Sequence, residues 1–187
     1  KSAANLLQSE LRKKDIISRI GGDEFAIILP DTNKNECTQI IKRIKKSRLP
    51  LVLIDNELWE QNIDCVVTDN ESGTRQIVNH LIELGHEKIG FIGGPLSHPS
   101  LYKRYQGYKS ALARAGLKES EYLVKFKKPH FDIVEGKQAI REILGAIDRE
   151  EWPTAIFAAI DRLAIGAIRW LKDSGYSVPE DISFAGF

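Results

Sequence analysis

Residues Val66 to Pro95, VVTDNESGTRQIVNHLIELGHEKIGFIGGP, constrain the fold more than any other stretch, because they spell strand, helix and strand in sequence. Val66 and Val67 close an apolar run, and Asp69 and Asn70 stand where a strand ends. Gly73 and Thr74 open a segment in which Ile77, Val78, Leu81, Ile82 and Leu84 recur at helical spacing. Gly85 ends that helix. Ile89, Phe91 and Ile92, bounded by Gly93, Gly94 and Pro95, have the length and punctuation of a buried parallel strand. A crossover of this kind is right-handed and needs cover on both sheet faces, so the flanks should supply more strands and helices.

They do. The apolar runs Leu49–Asp55 and Ile63–Val67 precede it as strands. Beyond Pro95 the pattern predicts a helix over Leu101–Ala115 closed by Gly116, a short strand at Lys125-Phe126, a loop over Pro129–Asp132, and a helix over 133–147 with Val134, Ala139, Ile140, Ile143 and Leu144 on one face. A strand over Thr154–Ala159, a helix over Ala164–Leu171 and a last strand from Ile182 complete the series. Strands alternating with helices over this length predict an α/β fold, a doubly wound and mostly parallel sheet. Ala3–Lys14 reads as one helix; Asp15–Ile20 and Phe25–Leu29, joined through Gly21, Gly22, Asp23 and Glu24, read as a hairpin; Glu36–Lys46, capped by Asn33 or Asn35, reads as a second helix with Cys37, Ile40, Ile41 and Ile44 inward.

The opening residues resemble part of the GGDEF domain of diguanylate cyclases. The sequence Arg19-Ile20-Gly21-Gly22-Asp23-Glu24-Phe25, followed by Ala26–Pro30, matches that family's signature hairpin, and Arg12-Lys13-Lys14-Asp15 stands at the spacing of its inhibitory R-x-x-D site. The resemblance implies that Gly21, Gly22, Asp23 and Glu24 are remnant active-site residues, Asp23 and Glu24 helping to hold Mg, and that Arg12 and Asp15 are the remnant of a cyclic diguanylate inhibitor site. It covers residues 1–46 and carries only half of the family's site, so cyclase activity is not expected. Guanine-nucleotide or cyclic diguanylate binding is the alternative function it implies.

Residues 49–187 resemble the effector-binding core of LacI-family transcription regulators, of the periplasmic-binding-protein-like fold. The motifs are Leu49–Asp55, Val67-Thr-Asp69-Asn70-Glu-Ser-Gly73, His80–Ile89, Arg104-Tyr-Gln-Gly107-Tyr108, Asp161-Arg-Leu-Ala-Ile-Gly166 and Val178-Pro-Glu-Asp-Ile182, in family order. In open α/β sheets ligands bind beyond the carboxyl ends of strands, and Asp69 and Asn70 after one strand, Arg104 early in the helix after another, Phe131 and Asp132 in a loop, and Asp161 at the end of a third fall there. A carboxylate accepts two sugar hydroxyls, an arginine fork donates to two oxygens in one plane, and an aromatic ring packs a sugar or base face. The resemblance implies that Arg104 and Asp161 contact a sugar or nucleoside-like effector, with Asp69 and Phe131 on the cleft wall. Ile160 departs from the small polar residue usual before the cleft aspartate. A homodimer is possible in this family. The lobe is expected to be incomplete at its carboxyl end, and the two resemblances to meet as a recombined or engineered chimera joined between Cys37 and Leu49, with the hairpin fragment packed on or extending the sheet.

Other chemistries find no support. The 27 Lys and Arg against 26 Asp and Glu leave a formal charge of +1, so no overall field favours nucleic acid or a membrane surface, and no helix-turn-helix for direct DNA binding is present. No apolar run approaches the ~20 residues of a membrane span. Cys37 and Cys65 lack zinc or C-x-x-C spacing, and are expected to be inert buried thiols of a cytoplasmic protein. His80, His86, His98 and His130 have no second ligand at metal spacing, and His86 is expected to bond locally at the start of its strand. Gly93-Gly94-Pro95 lacks the Lys-Ser/Thr of a phosphate loop and reads as a strand-end turn, and no cofactor is expected except Mg if the GGDEF-like remnant is active.

Overall fold

The computed structural model describes residues 3–22, 24–32, 34–46, 52–54, 64–127 and 132–187. The chain divides into two units, Lys1–Thr68 and Asp69–Phe187.

In the first unit, helix α1 (Ala3–Glu10) ends at Glu10 rather than at Lys14. The cause is a local turn: the Arg12 backbone N–H donates to Asp15 Oδ2 at 2.8 Å, and the Asp15 N–H donates to the Arg12 carbonyl at 3.0 Å. These bonds satisfy backbone groups that a continued helix would have used. Strands β1 (Ile16–Gly21) and β2 (Glu24–Ile28) form the expected antiparallel hairpin, with Ile16 opposite Ile28 and Ser18 opposite Ala26. A bulge separates Arg19 from Gly21, and Gly22 sits at φ +51°, where only glycine is at ease. Helix α2 (Lys34–Lys46) packs on α1 and buries Ile40 and Ile44. Asn35 lies inside α2, and Asn33 is outside the described residues. Strands β3 (Val52–Ile54) and β4 (Asp64–Val66) pair in parallel, Val52 opposite Asp64.

The two thiols are free but not buried, which corrects the expectation from sequence. Cys65 is exposed because all three residues of β4 are exposed; Cys37 is half-buried because it stands in the first turn of α2, ahead of the buried pair Ile40 and Ile44.

The second unit is the predicted doubly wound sheet. Helix α3 (Asn70–Glu83) is followed by β5 (Ile89–Gly93), α4 (Pro99–Arg114), β6 (Val124–Phe126), α5 (Ile133–Leu144), β7 (Ala155–Ala158), α6 (Asp161–Asp173) and β8 (Ser183–Gly186). The four strands are parallel in the order β6-β5-β7-β8. Alternate residues of each central strand face opposite layers. Ile89, Phe91, Ala155 and Phe157 pack with Val78 and Leu81 of α3 and Leu101, Tyr108, Ala111 and Leu112 of α4; Ile92 and Ile156 pack with Ala139, Ile140, Ile143 and Leu144 of α5 and Leu163, Ala167 and Leu171 of α6. Full burial of one such side chain stabilises by roughly 1.5–3 kcal/mol, so these two layers hold the lobe together. Two residues assigned to helix faces point outward instead: Leu84, the C-cap of α3, is 63% exposed, and Val134, in the first turn of α5, is 68% exposed. Each sits at a helix end, beyond the neighbouring helix's cover.

Helix boundaries follow local chemistry. Asp69 Oδ1 accepts from the Ser72 N–H at 3.1 Å and caps α3, and Asp132 Oδ1 accepts from the Glu135 N–H at 3.0 Å and caps α5. Proline at the first position of α4 costs no hydrogen bond there. Helix α6 begins at Asp161, earlier than the Ala164 its apolar spacing predicts, and its cap residue Ile160 supplies no side-chain bond.

Candidate functional site

The order β6-β5-β7-β8 creates a switch point. From β5 the chain moves outward to β6, and from β7 it moves the other way to β8, so the connections part beyond the carboxyl ends of β5 and β7. The polar residues gathered there come from α3, α4, α6 and the end of β8.

Arg104, in the second turn of α4, is the centre of the cluster. Its Nε donates to Asn70 Oδ1 at 2.8 Å, and its Nη1 donates to the carbonyls of Ala159 at 2.6 Å and Phe187 at 2.9 Å. The Phe187 ring lies under the guanidinium, 4.2 Å from Cζ, a cation–π contact. The ring also rests on Gly73, where a Cβ would come within 2.4 Å of it. One arginine thereby ties together the start of α3, the end of β7 and the end of β8.

Asp161, the first residue of α6, is exposed, and its Oδ1 would lie 2.6 Å from a Cβ on Gly186. A carboxylate at a helix start is favoured by the N-terminal dipole. Ile160, half-buried, packs into both apolar layers rather than presenting a polar group. Asp69 is engaged as the cap of α3, and Phe131 lies outside the described residues. The structure therefore brings Arg104 and Asp161 to the same end of the sheet, through Phe187 and Gly186. Asn70, buried and bonded to Arg104, stands at a strand end in the sequence beside Asp69, but the resemblance implied a site role for Asp69 alone. The signal was weak: an asparagine after a strand also reads as a turn or a cap.

At the opposite end of the sheet, His86 Nδ1 lies 2.9 Å from Thr154 Oγ1, joining the starts of β5 and β7. The bond lies at the start of the strand as expected, but it is not local: Thr154 is 68 residues away. His98 is the N-cap of α4 and makes no side-chain cap bond, while His130 lies outside the described residues.

The cyclase-like residues are arranged differently. Gly21 and Gly22 form the hairpin turn with open space where a Cβ would stand, Glu24 is exposed opposite Gly21, and Asp23 is outside the described residues. Arg12 and Asp15 are bound to each other: Nε and Nη2 both donate to Asp15, at 3.0 and 2.8 Å, Nη2 also donates to Thr32, and Nη1 is 3.5 Å from Glu36. The bidentate bond to Arg12 holds the Asp15 carboxyl below the usual carboxylate range. Among the described residues, no group of three or more His, Cys, Asp or Glu could hold a metal ion. No helix of the described residues is long and apolar enough to cross a membrane.

Comparison with known proteins accords with this architecture. Residues 78–187 match the periplasmic binding protein-like domain family, and residues 1–61 match the diguanylate cyclase GGDEF domain. The HTH-type transcriptional regulator CelR of Thermobifida fusca is 39% identical over 128 residues, 68% of this chain and 36% of that protein. A solved CelR–cellobiose complex superposes with TM-score 0.69 and 34% identity over 82% of this chain and 45% of that one. A sugar-binding transcriptional regulator of the LacI family from Escherichia coli, solved with phosphate, superposes with TM-score 0.69 and 29% identity over 80% of this chain and 52% of that one. The chain spans about a third to a half of the length of the curated relatives it matches.

Proposed function

This chain belongs to the periplasmic binding protein-like domain family through residues 78–187, and we propose that its second unit is the effector-binding lobe of a LacI-type regulator, taking a sugar or nucleoside at the carboxyl ends of β5 and β7. The observation that carries the reading is Arg104, held at the switch point by Asn70, Ala159 and Phe187. A fixed guanidinium at the same end of the sheet as the exposed carboxylate of Asp161 offers donors and acceptors to a polyhydroxylated ligand, and Phe187 adds an apolar ring. The CelR–cellobiose complex favours a sugar among the alternatives. Apolar Ile160 at the start of α6 supplies no side-chain donor there.

Titration calorimetry with a panel of cellobiose, ribose, glucose, adenosine and cytidine tests the proposal. At least one binds the wild-type protein, and Arg104→Met and Asp161→Asn each weaken it by about 1.5–3 kcal/mol, the worth of a charge-assisted hydrogen bond. Failure of the whole panel to bind at millimolar concentration would sink the reading.

A further inference from the structure

We infer that the outward face of α2 is a docking surface for the phosphate backbone of a nucleic acid. Helix α2 reads KNECTQIIKRIKK, with Lys34, Lys42, Arg43, Lys45 and Lys46 set against Glu36 alone. Cys37, Ile40, Ile41 and Ile44 recur at helical spacing on one side, and Ile40 and Ile44 are buried where α2 packs on α1. The other side carries Asn35, Gln39, Lys42 and Lys46, at i, i+4, i+7 and i+11, with Arg43 beside them. All of these are exposed except Lys42, which is half-buried. Among the described residues no carboxylate pairs with Lys42, Arg43 or Lys46, and Glu36 stands more than a turn away, 3.5 Å from Arg12 Nη1. The formal charge of +1 hides this segregation, because the balancing carboxylates are spread over other elements.

Helix stability does not account for the cluster. The negative end of the helix dipole favours a cation in the last turn. Lys42–Lys46 and Arg43–Lys46, however, are like-charged pairs at i,i+4 and i,i+3, which destabilise a helix. An external polyanion relieves that repulsion. Lys42 and Lys46 leave the helix about 6 Å apart along its axis. Phosphates recur about every 3.4 Å along each strand of a duplex, so the two side chains reach neighbouring phosphates. Asn35 and Gln39 extend the stripe with amide donors of the kind that also bond phosphate oxygens. Such contacts position a protein on the backbone and read no bases, so no helix-turn-helix is required. A lipid surface fits less well: a helix lying in a membrane interface turns its apolar side to the lipid, and here that side holds the buried Ile40 and Ile44.

Fluorescence anisotropy of a labelled DNA duplex of mixed sequence, titrated with the full chain at several salt concentrations, tests the inference. Two to three phosphate contacts give a slope of log K against log salt of about −2 to −3, so affinity falls roughly ten- to fortyfold between about 50 and 200 mM salt. Lys42→Gln, Arg43→Gln and Lys46→Gln are each expected to reduce the slope by about 1. Lys137→Gln, an equal loss of charge at an exposed position of α5, is expected to leave it unchanged. Glutamine has nearly the helix propensity of lysine and arginine, so urea melts of the variants should match the wild type. Absence of duplex binding at the lowest salt overturns the inference. An effect of Lys137→Gln as large as those on α2 overturns it too, since net charge alone would then be at work. Polyglutamate or phosphatidylserine vesicles bound as tightly as the duplex, through the same three residues, overturn the assignment to nucleic acid. No effector enters these measurements, so they stand whatever the sugar and nucleoside panel shows.

Discussion

Gly136 of α5 rests so closely on Leu163 of α6 that a Cβ built on it would lie 2.1 Å from the Leu163 carbonyl oxygen. The contact is reciprocated: a Cβ on Gly166 of α6 would lie 2.0 Å from the carbonyl oxygen of Ile133 in α5. Both obstacles are backbone atoms, which no side-chain rotation can move aside. In an unobstructed helix, Gly→Ala stabilises by about 0.5–1 kcal/mol. Here the sign reverses. Gly136→Ala and Gly166→Ala each destabilise by about 1–3 kcal/mol or more, because the helices must separate and the Ile140, Ile143, Leu163 and Ala167 layer loosens. Urea melts of the two variants check this, and a gain in stability in either would contradict the close crossing.

The Arg12–Asp15 pair predicts an acid-sensitive term in the first unit. The Asp15 pKa is lowered in the folded chain, chiefly by its side-chain bond to Arg12, so its stabilisation is present above the unfolded value of about 3.9 and is lost as pH falls through the lower folded value. Wild type and Asp15→Asn therefore differ in stability at neutral pH and converge as the pH drops below about 4. Carboxyl 13C NMR should place the Asp15 midpoint below that of an unpaired aspartate. Equal midpoints would show that the pair does not persist in solution.

Tyr108 is buried against Phe91, with ring centroids 5.1 Å apart, and its hydroxyl donates to the Ile89 carbonyl at 2.8 Å. Tyr108→Phe keeps the ring and leaves that carbonyl without its donor, at a cost of about 1–3 kcal/mol in a chemical melt. Burial raises the Tyr108 pKa first, with the nearby Glu119 charge adding to it. Since the unfolded chain ionises near pH 10, stability falls as pH rises beyond about 10 toward the higher folded value. Ultraviolet titration should find the phenol of Tyr108 still protonated where exposed tyrosines are ionised.

The free thiols predict a graded reactivity. Cys65 is exposed on β4 and Cys37 half-buried on α2, so an aromatic disulfide reagent labels Cys65 first. Mass spectrometry of the partly labelled chain distinguishes the two sites. Preferential labelling of Cys37 would contradict the exposure of β4.

The sheet lobe was legible because its signals are local and strong. Ile89–Gly93 and Ala155–Ala158 are short apolar runs closed by small residues or a helix start, and a strand buried on both faces has little choice of composition. Helix faces were legible in their middles and misleading at their ends, where Leu84 and Val134 keep the period but have no neighbour to cover them. The end of α1 was not legible, because Arg12 falls within the helical pattern while its bonds to Asp15 stabilise a turn instead.

The site divides along the same line. The type and order of the elements, the alternation of strand faces and the candidacy of Arg104 and Asp161 follow from nearest-neighbour chemistry and from motifs, all readable along the chain. Which groups Arg104 holds is decided only when the chain is folded: Asn70 is 34 residues away, Ala159 55 and Phe187 83. Two of those three partners are backbone carbonyls, which every residue possesses and no sequence pattern marks. Their role is set by where parallel pairing of β5, β7 and β8 leaves the strand ends, and it is that long-range pairing that turns Arg104 of α4 into the centre of a site.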